Sequence, residues 1–296
     1  MQIEAEPGVR PSRSSEVPAP DVTAIIICHN VREEVLACLA AVRAHTAPLR
    51  LEVIVVDNAS DDGTVESVRG AYPECRTVQL GRNEGLPARN YGLRLARGRY
   101  RMFIDSDAIL RPGALATLVR ALEANPRIGL VGPRLVYPDG RLQLSTRRYP
   151  PLMLPLLRRP PLSRFFEDGR TIRRHLMADA GHDSRRRVEY VLGACQVFRA
   201  EAQRAAGEID RHIWFGHDDA DWCFRIRSAG YDVVYVPDAE VIHDYRRTSA
   251  QRPISVFALR QLAAHVYFQW KWLRARRALI DEGRRMDAEV AATAGR

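Results

Sequence analysis

The stretch Tyr100-Arg-Met-Phe-Ile-Asp105-Ser-Asp107-Ala-Ile-Leu110 runs an apolar strand straight into two aspartates separated by one residue. Carboxylates at the carboxyl end of a buried strand leave the sheet where open α/β folds bind ligands. Two hard oxygen donors there suit a divalent cation set against a diphosphate, because Mg²⁺ is commonly held by one or two carboxylates plus substrate phosphates. The competing reading is a solvated turn, with Asp107 capping a helix that starts near Pro112–Gly113. The rest of the chain decides between them.

Upstream of this stretch, apolar runs of strand length alternate with segments of helical period. Val22–Cys28 is β-branched and continuous, as a strand buried on both faces should be. Val31–Arg43 has helical spacing, with Asn30 set to cap it. Leu51–Val56 predicts a second buried strand ending at Asp57, and Asp61-Asp62-Gly63-Thr64 is turn chemistry leading into a helix through Arg69. Thr77–Leu80, a helix over Leu86–Ala96 and the strand Arg99–Ile104 follow. This order implies β-α-β units and a mostly parallel sheet flanked by helices. Downstream, a helix is expected over Gly113–Asn125, a strand over Ile128–Val136, a turn at Pro138-Asp139-Gly140, and strand character over Val188–Phe198. A helix near Asp219, a short strand Val233–Val236 and one last helix from Ile254 to about Arg284 complete the pattern.

The chain has 296 residues, enough for one large α/β domain with embellishments or for two small ones. Its net charge is +9, carried almost wholly by arginine, since Lys271 is the only lysine. Arginine forks match phosphate and carboxylate oxygens, so the charge fits acidic small molecules, anionic lipid or nucleic acid. No basic motif with interleaved stacking aromatics occurs outside the C-terminal helix, which argues against nucleic acid. No G-x-G-x-x-G follows a strand, which weighs against a dinucleotide-dependent oxidoreductase. The five cysteines show no C-x-x-C spacing and fit a reducing compartment. Residues 1–20 are rich in Pro, Ser and acidic residues without an apolar core, so they read as a disordered segment rather than a leader. No run approaches the length of a membrane span. The expected location is the cytoplasm.

Four features sit at strand ends or helix starts. Asp57, in Val55-Val-Asp-Asn-Ala-Ser60, offers an acceptor able to bond a pyrimidine N–H; a turn-forming Asp-Asn pair is an equal alternative. Asn83-Glu-Gly85 and Ala88-Arg-Asn90 give a Gly-containing loop into a helix, where backbone N–H groups and Arg89 could meet phosphate. Asp105 and Asp107 are the third feature. The fourth is His217-Asp-Asp-Ala-Asp-Trp222, in which crowded carboxylates can raise one pKa and supply a general base, or simply cap the helix.

With these motifs in order, and with Ala24-Ile-Ile-Ile-Cys-His-Asn30, Gly98-Arg-Tyr100, Gly132-Pro133, Gly193-Ala-Cys195 and Val236-Pro-Asp-Ala-Glu-Val-Ile-His243, the chain resembles family 2 glycosyltransferases of the GT-A fold. Within them it resembles the bacterial rhamnosyltransferase-like branch, over roughly Val22 to His243. The resemblance implies a GT-A catalytic domain over 21–247, with a Pro/Arg-rich excursion at 148–187 serving acceptor or membrane, and an amphipathic helical extension over 248–296. It implies that Asp57, Asn30, Asn83, Gly85, Arg89 and Asp105 hold the nucleotide-sugar. It implies that Asp107 and His243 ligate Mg²⁺ or Mn²⁺, that Asp219 is the base and that Asp218 assists it. Asp244 stands where a second His is common, and Glu208-Ile-Asp210 replaces a Gly-Phe-Asp pattern.

The implied reaction is inverting, metal-dependent transfer of a sugar, with L-rhamnose of dTDP-L-rhamnose as first choice, to a saccharide or polyprenyl-diphosphate-linked acceptor in cell-envelope polysaccharide synthesis. Alternatives are a UDP-sugar donor or a nucleotidyltransferase of similar fold. Tyr267, Phe268, Trp270 and Trp272 beside Lys271, Arg274, Arg276 and Arg277 allow either packing on the catalytic domain or peripheral contact with an anionic membrane on its inner face.

Overall fold

The computed structural model describes residues 19–157, 169–244 and 255–294. The expected disordered segment therefore lies almost wholly outside the described residues, as do 158–168 of the Pro/Arg-rich excursion and Ile254.

The first half follows the alternation read from the sequence. Strands β1 (Val22–Cys28), β2 (Leu51–Asp57), β3 (Arg76–Gln79) and β4 (Tyr100–Asp105) lie parallel in the order β3-β2-β1-β4. Helices α1 (Arg32–Ala44), α2 (Thr64–Ala71) and α3 (Arg89–Leu95) connect them. Side chains alternate across the sheet with the two-residue period of a strand. Ala24, Ile26, Met102 and Ile104 join the core on the α1 side, whereas Ile25 and Phe103 join the core on the other.

Beyond Asp105 the chain leaves this pattern. A two-residue turn, Ser106-Asp107, leads to β5 (Ala108–Leu110), and α4 (Ala114–Glu123) follows. Strands β6 (Ile128–Val136), β11 (Cys195–Arg199) and β12 (Asp232–His243) extend the sheet in the order β4-β11-β6-β12-β5. Strand β6 is parallel to β12, while β11 is antiparallel to both β4 and β6. Short strands β7 (Leu142–Gln143) and β9 (Arg186–Arg187) pair with β6 and β12, and β8 (Thr146–Arg147) pairs with β10 (Tyr190–Val191). The strand expected over Val233–Val236 is longer, because pairing with β6 resumes at Glu240 after a bulge at Pro237-Asp-Ala239. A proline cannot donate to a ladder and sits comfortably at such a break.

Two capping expectations are corrected. Asn30 does not cap α1: it is left-handed, with φ 54°, and its side-chain oxygen accepts the Asp61 N–H. Asp107 caps nothing, since α4 begins after Gly113, six residues on.

Among its described residues the excursion carries the four-residue turn α5 (Leu154–Leu157) and the helix α6 (Arg170–His175). After α7 (Ala200–Ala206) comes the acidic helix α8 (Asp218–Ser228). The C-terminal helix is two: α9 (Val256–Lys271), capped by Ser255, and α10 (Arg276–Ala294), separated at Trp272–Ala275. Phe268, Trp272 and Leu279 enter the same apolar cluster as Trp222 and Phe224 of α8. Lys271 turns inward, 2.6 Å from Asp210 and 2.7 Å from Asp221. These aromatic rings and the lysine therefore pack on the α/β body. Trp270, by contrast, is 69% exposed.

Candidate active site

Backbone register brings the acidic residues to one place. Antiparallel pairing of β5 with β12 sets Ala108 opposite His243, so the residue before Ala108 lies beside the end of β12. The Asp244 N–H bonds the Asp107 carbonyl at 3.3 Å, and His243 Nε2 lies 3.5 Å from Asp107 Oδ1. Asp105, Asp107 and His243 each offer a ligand atom within 4.8 Å of the others. On the opposite ring nitrogen, His243 Nδ1 meets Gln143 Oε1 at 2.7 Å. An amide oxygen only accepts, so Nδ1 carries the proton and Nε2 presents its lone pair toward Asp107. This is how a metal-ligating histidine is usually oriented. Two carboxylates and an imidazole form a mixed oxygen and nitrogen set that suits Mn²⁺ and accepts Mg²⁺. Burial, and then the charge of Asp105, pushes the Asp107 carboxyl up to about 6. A cation bound there would reverse that penalty.

Strand β11 supplies the next wall. Its antiparallel pairing with β4 puts the carbonyl of Ala194, just before the strand, on the Asp105 N–H at 2.9 Å, and Gly193 precedes it. Arg89 crosses behind it. One guanidinium nitrogen bonds Asp105 at 2.6 Å and the Gly193 carbonyl at 3.2 Å; the other bonds Asp218 at 3.3 Å. The ring of Phe103 lies 4.9 Å beneath. Arg89, read from the sequence as a residue that could meet phosphate, is 3% exposed and holds the strand that ends at Asp105 to the helix bearing Asp218. Arginine suits this because its rigid fork reaches two acceptors at once and stays charged when buried.

At the start of α8, Asp218 is buried and Asp219 half-buried. Asp219 Oδ1 accepts the Ala220 N–H at 2.8 Å. Burial and the charge of Asp219 push Asp218 up to about 7, against the pull of Arg89. Asp219 is likewise raised, chiefly by burial. The two titrate as a pair, which holds a proton-accepting carboxylate near neutral pH. Asp221 is elsewhere: it accepts from Trp272 Nε1 at 2.9 Å and pairs with Lys271 and Arg225. It fastens α9 and cannot serve as the base.

The nucleotide-side residues form a tight loop. Asp57 is buried at the end of β2 and accepts the Ser60 N–H at 3.1 Å. Asn58 bonds the Glu84 N–H, Asn83 Oδ1 and the Gly85 carbonyl, and Asn83 Oδ1 also takes the Gly85 N–H. Gly85 has φ 71°, and a Cβ there would meet the Trp214 carbonyl at 2.3 Å, so only glycine fits. Asn30 sits across from this loop and bonds Ser60 and Asp61 instead. Sequence reasoning missed Gln143, the Gly193 carbonyl and Asn58. Gln143 gives no local signal; only the β6–β7 register, Leu135 opposite Gln143, brings it to His243.

The family described as Glycosyl transferase family 2 matches residues 23–191. An N-acetylglucosaminyl-diphospho-decaprenol L-rhamnosyltransferase from Mycobacterium tuberculosis is 26% identical over 253 residues, covering 76% of this chain and 78% of that protein. A mannosyltransferase from Pyrobaculum calidifontis, solved with GDP-Man and Mn²⁺, superposes with a TM-score of 0.58 at 22% identity, covering 86% of this chain and 65% of that one. GalNAc-T7, solved with UDP, GalNAc and Mn²⁺, gives a TM-score of 0.59 at 18% identity over 80% of this chain. It is matched over 46% of its own length, so the chain spans less than two thirds of either solved structure. These likenesses are of fold.

Proposed function

The chain belongs to glycosyl transferase family 2 and has the GT-A fold, and from that premise we propose that it moves a sugar from a nucleoside-diphosphate donor to a hydroxyl acceptor with inversion. The observation that carries this reading is the convergence of Asp107 and His243 with the Asp218–Asp219 pair, bridged through Asp105 and Arg89. Asp57, with the Asn30, Asn83 and Gly85 loops, would hold the nucleotide, and Asp105 would face its ribose or diphosphate. Bound to Asp107 and His243, Mg²⁺ or Mn²⁺ would supply Lewis-acid stabilisation of the charge on the departing diphosphate.

Asp219 takes the proton of the acceptor hydroxyl as that oxygen attacks the anomeric carbon from the side opposite the diphosphate. The bond from carbon to the diphosphate oxygen breaks with its electron pair, and the configuration inverts. A carboxylate whose pKa is raised toward neutrality is a competent base, worth about 10²–10⁴-fold in rate. Asp218 stands beside Asp219, tied to Arg89, and the charges of Arg147 and Arg89 pull the Asp219 carboxyl down against its burial.

The mycobacterial relative is named for an L-rhamnosyl transfer to a decaprenyl-diphosphate sugar, which supports dTDP-L-rhamnose as donor and a lipid-linked saccharide as acceptor. Among the described residues no helix is long and apolar enough to cross a membrane. Peripheral contact is the alternative route to such an acceptor. Leu259, Val266 and Trp270 are exposed along α9, and Leu273 is exposed just past its end. Between Ile254 and Ile280 there is no acidic residue, and beside the inward Lys271 there are four arginines. An apolar face among cations fits an anionic bilayer surface.

The test is a panel of nucleotide-sugars offered with Mn²⁺ or Mg²⁺, read by donor consumption and by binding. Preferential turnover of dTDP-L-rhamnose supports the full reading, and preference for a UDP-sugar changes the donor only. Absence of both turnover and binding with every donor in the panel overturns it.

A further inference from the structure

The helix that bears Asp219 starts from a strained corner. Gly216 and His217 are both left-handed, with φ 80° and 65°, and His217 is the residue at which α8 begins. Glycine tolerates that conformation; histidine does so only where its surroundings over-determine it. Those surroundings come from one face of α9. Gln261 packs on Gly216, where an added Cβ would stand 3.3 Å from its side chain. One turn on, His265 Nδ1 lies 2.9 Å from His217 Nε2. Phe268 stacks on the His217 ring, with centroids 5.2 Å apart. Residues 261, 265 and 268 share a helical face by their spacing.

The hydrogen positions follow from the partners. His265 Nε2 meets the Leu152 carbonyl at 2.9 Å, so this nitrogen donates. His265 is 2% exposed, and burial lowers its pKa. Its imidazole is therefore neutral, Nδ1 accepts, and His217 Nε2–H donates. The bond is directional and joins the excursion at Leu152, through His265, to the residue immediately before Asp218 and Asp219.

We propose that His265 is a positioning residue for glycosyl transfer: by accepting the His217 proton donor it fixes the left-handed corner from which α8 emerges, and so sets where Asp219 points. The C-terminal helix thereby completes the active site without touching substrate. This inference rests on the base role given to Asp219 above. A base displaced by about an ångström can lose up to about 10²-fold in rate, whereas donor binding depends on other strands.

Two substitutions separate positioning from packing. His265→Asn places an amide oxygen near Nδ1 and keeps an acceptor for His217. His265→Gln reaches the Leu152 carbonyl and leaves His217 without its acceptor. With the donor the wild type consumes best, kcat of His265→Gln should fall about tenfold with the donor KM within twofold, while His265→Asn recovers most of the turnover. Equal turnover in the two variants, unchanged or equally reduced, overturns the proposal. A second readout needs no substrate. In ¹⁵N-histidine spectra His265 Nδ1 should be unprotonated and coupled across the hydrogen bond to His217 Nε2–H, and absence of that coupling also overturns it. A wild type that consumes no donor, with the coupling present, would instead reject the glycosyl-transfer reading and leave the His217–His265 bond standing.

Discussion

Replacing Lys271 by methionine should destabilise the protein far more than loss of a surface charge. Its ammonium bridges Asp210 and Asp221, whose side chains are 12% and 2% exposed, and is itself 23% exposed. Breaking a fully buried pair costs about 3–5 kcal/mol and a surface pair about 0–1. Partial solvation lowers the figure, and both acids keep other partners: Arg225 and Trp272 on Asp221, Tyr267 and His212 on Asp210. The expected loss is about 2–3 kcal/mol, or roughly 5–10 °C in Tm for a domain of this size. Burial acts to raise the Asp210 carboxyl, but its hydrogen bonds from Lys271 and His212 outweigh it and hold the group well below its usual 3.8. A depressed carboxyl stabilises fully above its unfolded pKa and ceases to do so as pH falls through its folded one. The effect is therefore complete at neutral pH. Thermal unfolding at pH 7.5 of Lys271→Met, with exposed Arg274→Met as reference, measures it. A Lys271→Met Tm within 1 °C of the reference would refute the clamp.

Three further outcomes are expected. Asp107→Ala and His243→Ala should each weaken Mn²⁺-dependent nucleotide binding at least about tenfold, and Gln143→Leu by about 10–100-fold through the misaligned imidazole; calorimetry with and without Mn²⁺ decides, and undiminished binding removes the site. Burial drives Glu189 up to about 7, outweighing its bond from the Tyr149 N–H and the charges of Arg227 and Arg148. The native state then binds more protons than the unfolded one between about pH 4.5 and 7, so stability should fall by up to about 3 kcal/mol as pH rises through that window. Urea midpoints from pH 5 to 8 should show this slope in wild type, where the raised Asp107 and Asp218 add to it, and a shallower one in Glu189→Gln; an unchanged slope removes Glu189 from it. Sedimentation with vesicles of rising anionic content should carry wild type at low salt and release Trp270→Ser; equal sedimentation of both would make the α9 face irrelevant to lipid.

What the sequence made legible was local and periodic. The spans of β1 and β2 follow from β-branched runs and that of β4 from an apolar one; Asp105 and Asp107 stand where the β4 run ends, and Asp218 and Asp219 where a helical period begins. Long-range register was not legible. Nothing near Cys195 announces that β11 inserts antiparallel between β4 and β6, yet that insertion brings Gly193 to Arg89. Arg89 itself read as a phosphate ligand because helix starts attract anions; the anions it meets are two aspartates of its own chain. The single C-terminal helix failed at Trp272, where the indole turns in to Asp221 and the chain breaks its helix to let it. His265 carried no pattern at all, since its meaning lies in a residue 48 positions earlier.

Asp219 carries the chemistry of inverting transfer. Purified Asp219→Asn should fold, bind donor and Mn²⁺ as wild type does, and lose at least about a hundredfold in kcat, the lower end expected when a general base is removed. A folded, donor-binding Asp219→Asn enzyme that transfers sugar at near the wild-type rate would contradict it.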